Sequence, residues 1–402
     1  MAKEKIKKNI SAKAKLLFAF IPVCFLIMIE LSARTYLYYD KTDESKIDHG
    51  KYIYFPEADE TSNPQKLRAN YTYQFKIALP FIPFHMVDKY VYYRPEPEAS
   101  YTFMLQSGYI VNYSINSLGF RGDEFPLKKE KRTKRILCIG DSSTFGFFLN
   151  LDDTYPALLE NTLRIGENGS DFQVINAGVM GFSSYQGRRY FETRLRTLQP
   201  DIVIFACGFN DSTRWFPDSY FKPESALVIE IKEILGNLAS YELADRFIHK
   251  IMGRSFGDPD ISPRVSFEEY KKNLAKLVGM CEEDDIHLVI LPIAFPKSYV
   301  PFIEKFAENK KNTGFINLPE IFKSCIKDYV EDDISSYDGI SFDSMIKRYF
   351  DDNYLAFGKP GEIAFNKVRG AIFMDDCHPT PIGNRVIVKE IIEYLDKNKL
   401  LD

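Results

Sequence analysis

Five short apolar runs recur through the last two thirds of this 402-residue chain, and amphipathic stretches lie between them. Runs without polar alternation are typical of strands that helices cover on both faces of a parallel sheet. They lie at Ile136–Ile139, Val174–Ile175, Ile202–Cys207, Leu288–Leu291 and Phe315–Leu318. The alternation of strand and helix predicts an α/β fold, with a parallel sheet as the middle layer of a three-layer sandwich.

The amphipathic stretches carry helix-start signals. One begins at Asp153-Thr154 with Pro156 close behind, and the last begins at Thr380-Pro381, a good N-cap followed by proline at the first helical position. Two more helices are predicted at Tyr185–Leu198 and Phe267–Cys281.

The beginning of the chain suggests a membrane anchor. Residues 1–15 hold six lysines against one glutamate, and an apolar run extends from Leu16 to Ile29 and continues weakly to Tyr39. The uninterrupted run is shorter than the roughly 20 residues of a spanning helix, but Glu30 and Arg34 lie one turn apart and could pair. We therefore expect a retained signal anchor at 16–39, with the lysines in the cytoplasm and the rest outside. A cleaved signal peptide and a buried soluble helix are the alternatives.

The remaining chain divides into two predicted parts. Residues 40–130 are rich in tyrosine, phenylalanine and proline, and alternate like strands at Tyr71–Phe75 and Tyr109–Tyr113, which predicts a small β-rich lead segment. Residues 131–402 form the predicted main domain. Insertions near 212–265 and 326–370 interrupt its rhythm, and we expect them to cover or line the active edge.

Charge and cysteine spacing limit the partners and the disulfides that the sequence predicts. The net charge is −4 and the body of the chain shows no basic face, so nothing indicates a nucleic-acid partner. The six cysteines have no framework spacing. We expect no obligatory disulfide, although a Cys281–Cys325 bond stays open.

Four short polar blocks lie where strands are predicted to end or just before a helix. Because the carboxyl ends of parallel strands meet at one edge of a sheet, the blocks are predicted to come together. They are Gly140–Gly146, Asn176–Gly181, Gly208–Asp211 and Asp375–His378.

These blocks contain the parts of a serine hydrolase. Ser142 would be the nucleophile, His378 its general base and Asp375 the carboxylate that holds the imidazole tautomer. An attacked ester carbonyl becomes an oxyanion that needs preplaced donors. The N–H groups of Ser142 and Gly181 and the side-chain amide of Asn210 are natural candidates.

Each block alone has a simpler interpretation. Gly-Asp-Ser is often a turn, and Gly140–Gly146 lacks the lysine of a phosphate-binding loop. Asp-x-x-His could be part of a metal site, but one pair gives too few ligands. Of the five histidines, only His378 combines a carboxylate at short range with a loop position before a helix. Four blocks in this order are much less expected by chance.

Together the blocks resemble the SGNH/GDSL hydrolase superfamily, over about residues 131–402. The resemblance implies a flavodoxin-like sandwich, Ser142 as nucleophile, His378 and Asp375 as its triad partners, and Gly181 and Asn210 as oxyanion donors. It also implies hydrolysis of esters, thioesters or sugar acetyl groups without metal or cofactor. Ser143 departs from the leucine of the family motif, and the choice of Gly181 over Gly178 depends on spacing.

The expected function is that of a membrane-anchored serine esterase, outside the cytoplasm, acting on O-acyl or O-acetyl groups. An envelope or exported polysaccharide is a candidate substrate by family analogy. An O-acyltransferase would use the same triad with a sugar hydroxyl in place of water. A non-catalytic binding protein that kept the fold is a third hypothesis, and a metal-dependent phosphoesterase a distant fourth.

Overall fold

The computed structural model describes residues 22, 24–36, 85–88, 90–105, 107–165, 171–213, 235, 238–241, 243–244, 263–350 and 360–401. The chain divides into two compact units. The first holds Met1–Pro83 and Pro223–Pro259, and the second holds Phe84–Lys222 and Asp260–Asp402. The predicted cytoplasmic tail, the predicted strand at Tyr71–Phe75 and most of the 212–265 insertion lie outside the described residues.

The strands belong to the second unit. They are β1 (His85–Asp88), β2 (Tyr92–Pro95), β3 (Ser100–Met104), β4 (Ile110–Ser114), β5 (Thr133–Gly140), β6 (Asp171–Gly178), β7 (Ile202–Ala206), β8 (His287–Ile290), β9 (Thr313–Phe315), β10 (Ser336–Tyr337) and β11 (Ile340–Ser341). Three antiparallel pairs, β1–β2, β3–β4 and β10–β11, stand apart from a five-stranded sheet. The alternating burial of β4 confirms the strand expected at Tyr109–Tyr113.

The central sheet is parallel throughout, with strand order β6-β5-β7-β8-β9. Its first strand in the sequence, β5, pairs with β6 on one side and with β7 on the other, which is the flavodoxin-like arrangement. The order in which strands are added to the sheet therefore changes sides at β5, from β6 on one side to β7 on the other. In open α/β sheets ligands bind beyond the carboxyl end of the strand where this reversal occurs.

Nine α-helices accompany these strands in the described part of the second unit. They are α1 (Ser142–Phe145), α2 (Tyr155–Ile165), α3 (Ser184–Thr193), α4 (Phe267–Glu283), α5 (Val300–Glu308), α6 (Leu318–Glu331), α7 (Phe342–Tyr349), α8 (Pro360–Ile372) and α9 (Pro381–Lys397). The threonine cap expected for the last helix is confirmed, because Thr380 accepts the N–H of Gly383.

Helices pack on both faces of the sheet, which confirms the sandwich. On one face, Ile136 and Cys138 of β5 share a buried cluster with side chains of α2, α6, α7, α8 and α9. The alternate residues Leu137 and Ile139 are equally buried on the opposite face. There α3 approaches closely: a Cβ at Gly187 would lie 2.4 Å from the Cys207 sulfur.

One predicted strand boundary is wrong. The strand is Thr313–Phe315, not Phe315–Leu318, because the chain turns into α6 at that point. Asn317 caps this helix by accepting the N–H of Glu320, and a proline occupies its first turn. Leu318 is buried as a helix residue.

All six cysteines are free thiols, Cys281 and Cys325 included. The disulfide that the sequence left open between these two does not form in the structure.

The first unit contains a helix at 24–36. The pairing expected between Glu30 and Arg34 is confirmed at 2.8 Å. Glu30 also accepts the N–H groups of Ala239 and Ser240. Among the described residues, no helix combines the length and apolarity that crossing a bilayer requires. Only part of the predicted 16–39 anchor is described, so the anchor stays a prediction.

Candidate active site

Ser142 lies where the chain leaves the middle of the sheet. Strand β5 ends at Gly140, and Asp141 caps α1 by accepting the N–H of Ser143 at 2.9 Å. Ser142 is thus the first residue of the helix, a position whose N–H has no intrahelical acceptor. In the described structure this N–H has no other hydrogen-bond acceptor either. It is free to donate to a ligand.

The loop before α9 is built around one carboxylate. One oxygen of Asp375 accepts the N–H groups of Cys377 and His378, each at 2.8 Å. The N–H of Met374 donates to the carbonyl of His378 at 2.9 Å and closes the loop. These bonds fold the loop back on itself, so the second Asp375 oxygen faces the imidazole of His378.

The three side chains predicted to form the triad meet in a line. His378 Nε2 lies 2.8 Å from Ser142 Oγ, and Nδ1 lies 2.6 Å from Asp375 Oδ2. Burial raises the pKa of Asp375, but the hydrogen bond and charge of His378 outweigh this and lower that pKa to about 2. The carboxylate is therefore ionised at neutral pH and favours the tautomer with hydrogen on Nδ1. That tautomer leaves Nε2 free to accept the Ser142 proton.

Ser143 joins the two loops that carry the triad. Its buried hydroxyl donates to the carbonyl of Cys377 at 2.9 Å, across 234 positions of sequence. The departure from the family's leucine therefore supplies a hydrogen bond between the serine loop and the histidine loop.

The structure separates the two glycines that could serve as the second oxyanion donor. The N–H of Gly178 already donates to Asn176 Oδ1 at 3.0 Å. A Cβ at Gly178 would lie 2.3 Å from the backbone nitrogen of Phe145, so this glycine allows close packing against α1. Gly181 has φ +73°, and its N–H has no acceptor among the described residues. Of the two glycines, Gly181 is thus the one whose N–H can donate to an oxyanion.

Asn210 lies in a short 3₁₀ helix directly after β7. Its Nδ2 donates to Asp141 Oδ2 at 3.3 Å and to the carbonyl of Phe182 at 3.1 Å. The amide thus connects the three loops that hold Ser142, Gly181 and Asn210. To donate to an oxyanion as well, one N–H must be shared, and the longer bond to Asp141 is the weaker one.

Asp141 is fully enclosed between these loops. Burial raises its pKa to about 6, although the N–H of Ser143 and the nearby His378 act in the opposite direction. An ionised Asp141 accepts hydrogen bonds from Ser143 and Asn210, and this charge is costly to bury.

Two aromatic rings lie beside the imidazole. The ring centroids of Phe147 and Phe148 are 5.2 and 6.1 Å from that of His378. Both side chains are half-buried, whereas Phe145 is buried completely. Phe147 and Phe148 therefore present partly exposed rings beside the imidazole, and Phe145 is core.

Sequence reasoning missed the residue that holds the turn after Ser142. The guanidinium of Arg121 donates to the carbonyls of Phe145 and Gly146 at 2.6 Å, and also to that of Leu149. It lies over the Tyr113 ring at 4.5 Å. The signal was an arginine among glycines and aromatics, Gly119-Phe-Arg-Gly122, but such a cluster is usually a turn.

Two further residues that sequence reasoning missed contact the Gly181 loop. The hydroxyl of Tyr93 donates to the carbonyl of Met180 at 2.9 Å. Arg264 donates to the carbonyl of Gly181 at 2.6 Å. Nothing in the sequence singled out one tyrosine among 25 or the arginine at the end of an insertion.

Of the other histidines, His287 forms a hydrogen bond with Tyr394 Oη at 2.9 Å. His85 is buried in β1, and His49 and His249 lie outside the described residues.

One set of side chains in the described residues has metal-ligand chemistry. The ligand atoms of Asp375, Cys377 and His378 lie within 4.8 Å of one another. Both imidazole nitrogens already bond Ser142 and Asp375, so a metal at this position would displace the triad contacts. The geometry suits a proton relay better than a metal centre.

Residues 138–313 match the model of the GDSL-like Lipase/Acylhydrolase family. The match covers less than half of the chain, and it supports the resemblance of this region to the SGNH/GDSL hydrolase superfamily. The matched range includes Ser142, Gly181 and Asn210, and it ends before Asp375 and His378.

Two curated proteins with similar sequences are esterases. An arylesterase of Vibrio mimicus is 26% identical over 137 residues, which are 33% of this chain and 66% of the relative. Esterase TesA of Pseudomonas aeruginosa is 28% identical over 88 residues, which are 22% of this chain and 43% of the relative. The chain thus spans less than two thirds of these relatives.

A solved structure of an acetylxylan esterase from Geobacillus stearothermophilus is also similar. Its TM-score is 0.36 at 14% identity, and the alignment covers 65% of this chain and 93% of that one.

Proposed function

We propose that this protein is a serine esterase that cleaves O-acyl or O-acetyl esters through an acyl-enzyme. The observation that carries the proposal is the unbroken line from Ser142 Oγ through the His378 imidazole to Asp375, with spacings of 2.8 and 2.6 Å. This is the geometry that an activated serine needs.

In the first half of the reaction, Ser142 Oγ attacks the ester carbonyl while its proton passes to His378 Nε2. The carbonyl π bond opens and its electron pair becomes an oxyanion. The N–H groups of Ser142 and Gly181, which have no acceptor among the described residues, would donate hydrogen bonds to this oxyanion. The Asn210 amide would be the third donor. As the carbonyl re-forms, the alcohol leaves with the proton from His378, and Ser142 keeps the acyl group.

In the second half, water replaces the alcohol. His378 removes a proton from the water, the new oxyanion forms at the same place, and Ser142 leaves with the proton returned to Oγ. Asp375 stays ionised throughout, since its pKa lies near 2. Its charge stabilises the imidazolium that forms in both halves.

For the substrate, we propose an acylated carbohydrate outside the cytoplasm. The support is the predicted address together with the apolar wall of Phe147 and Phe148 beside the imidazole, which suits an acyl chain next to the reacting carbon. Nitrophenyl esters from acetyl to long acyl chains, assayed beside acetylated polysaccharides, would measure both preferences.

For the address, we propose a single-pass anchor at 16–39 with the catalytic domain extracytoplasmic. Its support is the lysine-rich start and the exposed apolar side chains of the helix at 24–36, among them Phe25, Leu26 and Met28. Full-length protein should stay with membranes through alkaline carbonate extraction. Release into the supernatant would contradict the anchor.

A fluorophosphonate probe tests the esterase itself. The wild type should be labelled, and Ser142→Ala should be neither labelled nor active, whereas Ser344→Ala on α7 should behave as wild type. Equal labelling of Ser142→Ala would contradict the proposal. Net transfer to added sugar, with a matching fall in hydrolysis, would show that the acyl-enzyme serves an acyltransferase.

A further inference from the structure

Three consecutive backbone carbonyls next to the proposed Gly181 donor are each held by a side chain from a distant part of the sequence. The carbonyls of Met180, Gly181 and Phe182 accept hydrogen bonds from Tyr93 at 2.9 Å, Arg264 at 2.6 Å and Asn210 at 3.1 Å, respectively. Residues 180–182 belong to no strand or helix, and Gly181 has φ +73°. The three hydrogen bonds therefore fix the carbonyls of this loop.

The Tyr93 bond is distinctive because it falls on the peptide group that contains the Gly181 N–H. In a trans peptide the C=O and N–H lie in one plane and point in opposite directions. Holding the Met180 oxygen therefore fixes the direction of the Gly181 hydrogen. Hydrogen bonds along such a chain polarise one another, so donation to the carbonyl also makes the N–H a stronger donor.

The hydroxyl of Tyr93 is itself firmly placed. The side chain is buried, and its ring makes edge-on contacts with Phe182 and His85, each at a centroid distance of 5.6 Å. The oxygen reaches the loop closely enough that a Cβ at Gly181 would lie 2.8 Å from it. These contacts hold the Tyr93 ring where its O–H reaches the Met180 carbonyl.

We propose that Tyr93 is a positioning residue of the esterase, which aims and polarises the Met180–Gly181 peptide toward the oxyanion. The inference rests on the proposed function and deepens it. Tyr93 lies in β2, which precedes the range matched by the family model, and β2 would thus support the oxyanion site through the Met180 carbonyl. Tyr93 touches no reacting atom and acts only through Gly181.

The first test is Tyr93→Phe, which removes only the hydroxyl. Loss of a direct oxyanion donor costs about 10²–10³ in rate, so we expect a smaller loss here, about 5- to 30-fold in kcat, with KM within about twofold. Rates are expressed per active site, titrated with the fluorophosphonate probe, so that only folded enzyme counts. Tyr190→Phe is the matched control, because Tyr190 is also buried and its ring also meets Phe182, at 5.8 Å.

The second test observes the peptide directly. The chain has two Met-Gly pairs, at 180–181 and 252–253, so labelling methionine carbonyls with ¹³C and glycine nitrogens with ¹⁵N gives two cross-peaks. In Tyr93→Phe the Gly181 amide should shift in both ¹H and ¹⁵N while the Gly253 peak stays in place. In Tyr190→Phe the Gly181 shift should be much smaller.

The outcomes separate the two proposals. An unchanged kcat in Tyr93→Phe, or an equal loss in Tyr190→Phe, overturns the role of Tyr93 while the esterase stands, provided that Ser142→Ala is inactive. An unmoved Gly181 cross-peak in Tyr93→Phe also overturns it. Full labelling and activity in Ser142→Ala would instead overturn the esterase proposal.

Discussion

The two loops that supply the triad are stabilised in opposite ways. The histidine loop is held mainly by its own residues, since Asp375 binds the N–H groups of Cys377 and His378 and Met374 bonds back to His378. The serine loop relies on residues far away in sequence: Arg121 binds its carbonyls, and Asn210 binds its capping carboxylate. Local hydrogen bonds place the base, and tertiary contacts place the nucleophile.

This difference indicates where each loop is vulnerable. Changes within the histidine loop should act on the chemistry with little effect on folding, because few distant groups depend on that loop. Changes around the serine loop should act on stability first, because they leave buried carbonyls and a buried carboxylate without partners. Four substitutions test this contrast.

The largest effect is expected for His378→Ala. Without the general base the rate should fall by a factor of order 10³ or more, while the denaturant midpoint stays within the range of ordinary surface substitutions. Steady-state kinetics and urea unfolding of the same preparation provide the measurement. Near-normal activity would refute the assignment of the base, and a large loss of stability would refute the local character of this loop.

Arg121→Met should reverse that pattern. It removes the donors to the carbonyls of Phe145, Gly146 and Leu149, and we expect unfolding free energy to drop by about 2–4 kcal/mol. Burial lowers the pKa of Arg121 to about 10, so the desolvation cost of its charge offsets part of the loss. Arg196→Met, which breaks exposed ion pairs with Glu283 and Asp284, should cost less than about 1 kcal/mol. Equal losses of unfolding free energy in the two variants would contradict the role of Arg121 in holding the turn after Ser142.

Asp141 predicts a pH dependence of stability on the serine side. Its folded pKa, about 6, lies above its ordinary value of 3.8, so the folded state keeps a proton that the unfolded state has lost between these values. Stability contributed by this group therefore falls as pH rises from about 4 to 6. Relative to Asp141→Asn, the wild type should lose roughly 3 kcal/mol over that range. Urea unfolding at pH 4 and pH 7 measures it, and parallel curves would contradict the raised pKa.

The smallest effect is expected for Ser143→Ala, which removes the hydrogen bond between the two loops. We expect a loss of about 1 kcal/mol in stability and a severalfold fall in kcat as the distance between Ser142 and His378 becomes less defined. Ser344→Ala removes a comparable bond to a carbonyl, on the exposed side of α7, and should change neither quantity. If the two variants behave alike, the loops do not depend on each other.

The contrast between the loops also explains what the sequence could predict. The parallel sheet, the capped last helix and the order of the four blocks follow from local patterns, and the structure brings Ser142, His378 and Asp375 together as those patterns indicate. Asp375 and His378 lie three positions apart, so their contact was within reach of spacing arguments. The end of β9 was misplaced because the capping of α6 by Asn317 competes with an apolar run.

Contacts across long stretches of sequence could not be predicted. Arg121 and Tyr93 belong to the predicted β-rich lead segment, and their partners depend on how that segment packs against the Ser142 and Gly181 loops. Pairing of this kind has no period and no fixed spacing. Likewise, the spare N–H of Gly181 and the engaged N–H of Gly178 differ only in backbone geometry.

The position of Arg121 bears on how the protein can be divided for expression. A cut just before β5 looks natural, since the strand-helix alternation begins there. A recombinant fragment that starts at residue 131 would nevertheless lack the Arg121 guanidinium. The carbonyls of Phe145, Gly146 and Leu149 would then lose the hydrogen bonds that this group donates. Fragments made for crystallisation or assay should therefore begin upstream of β1.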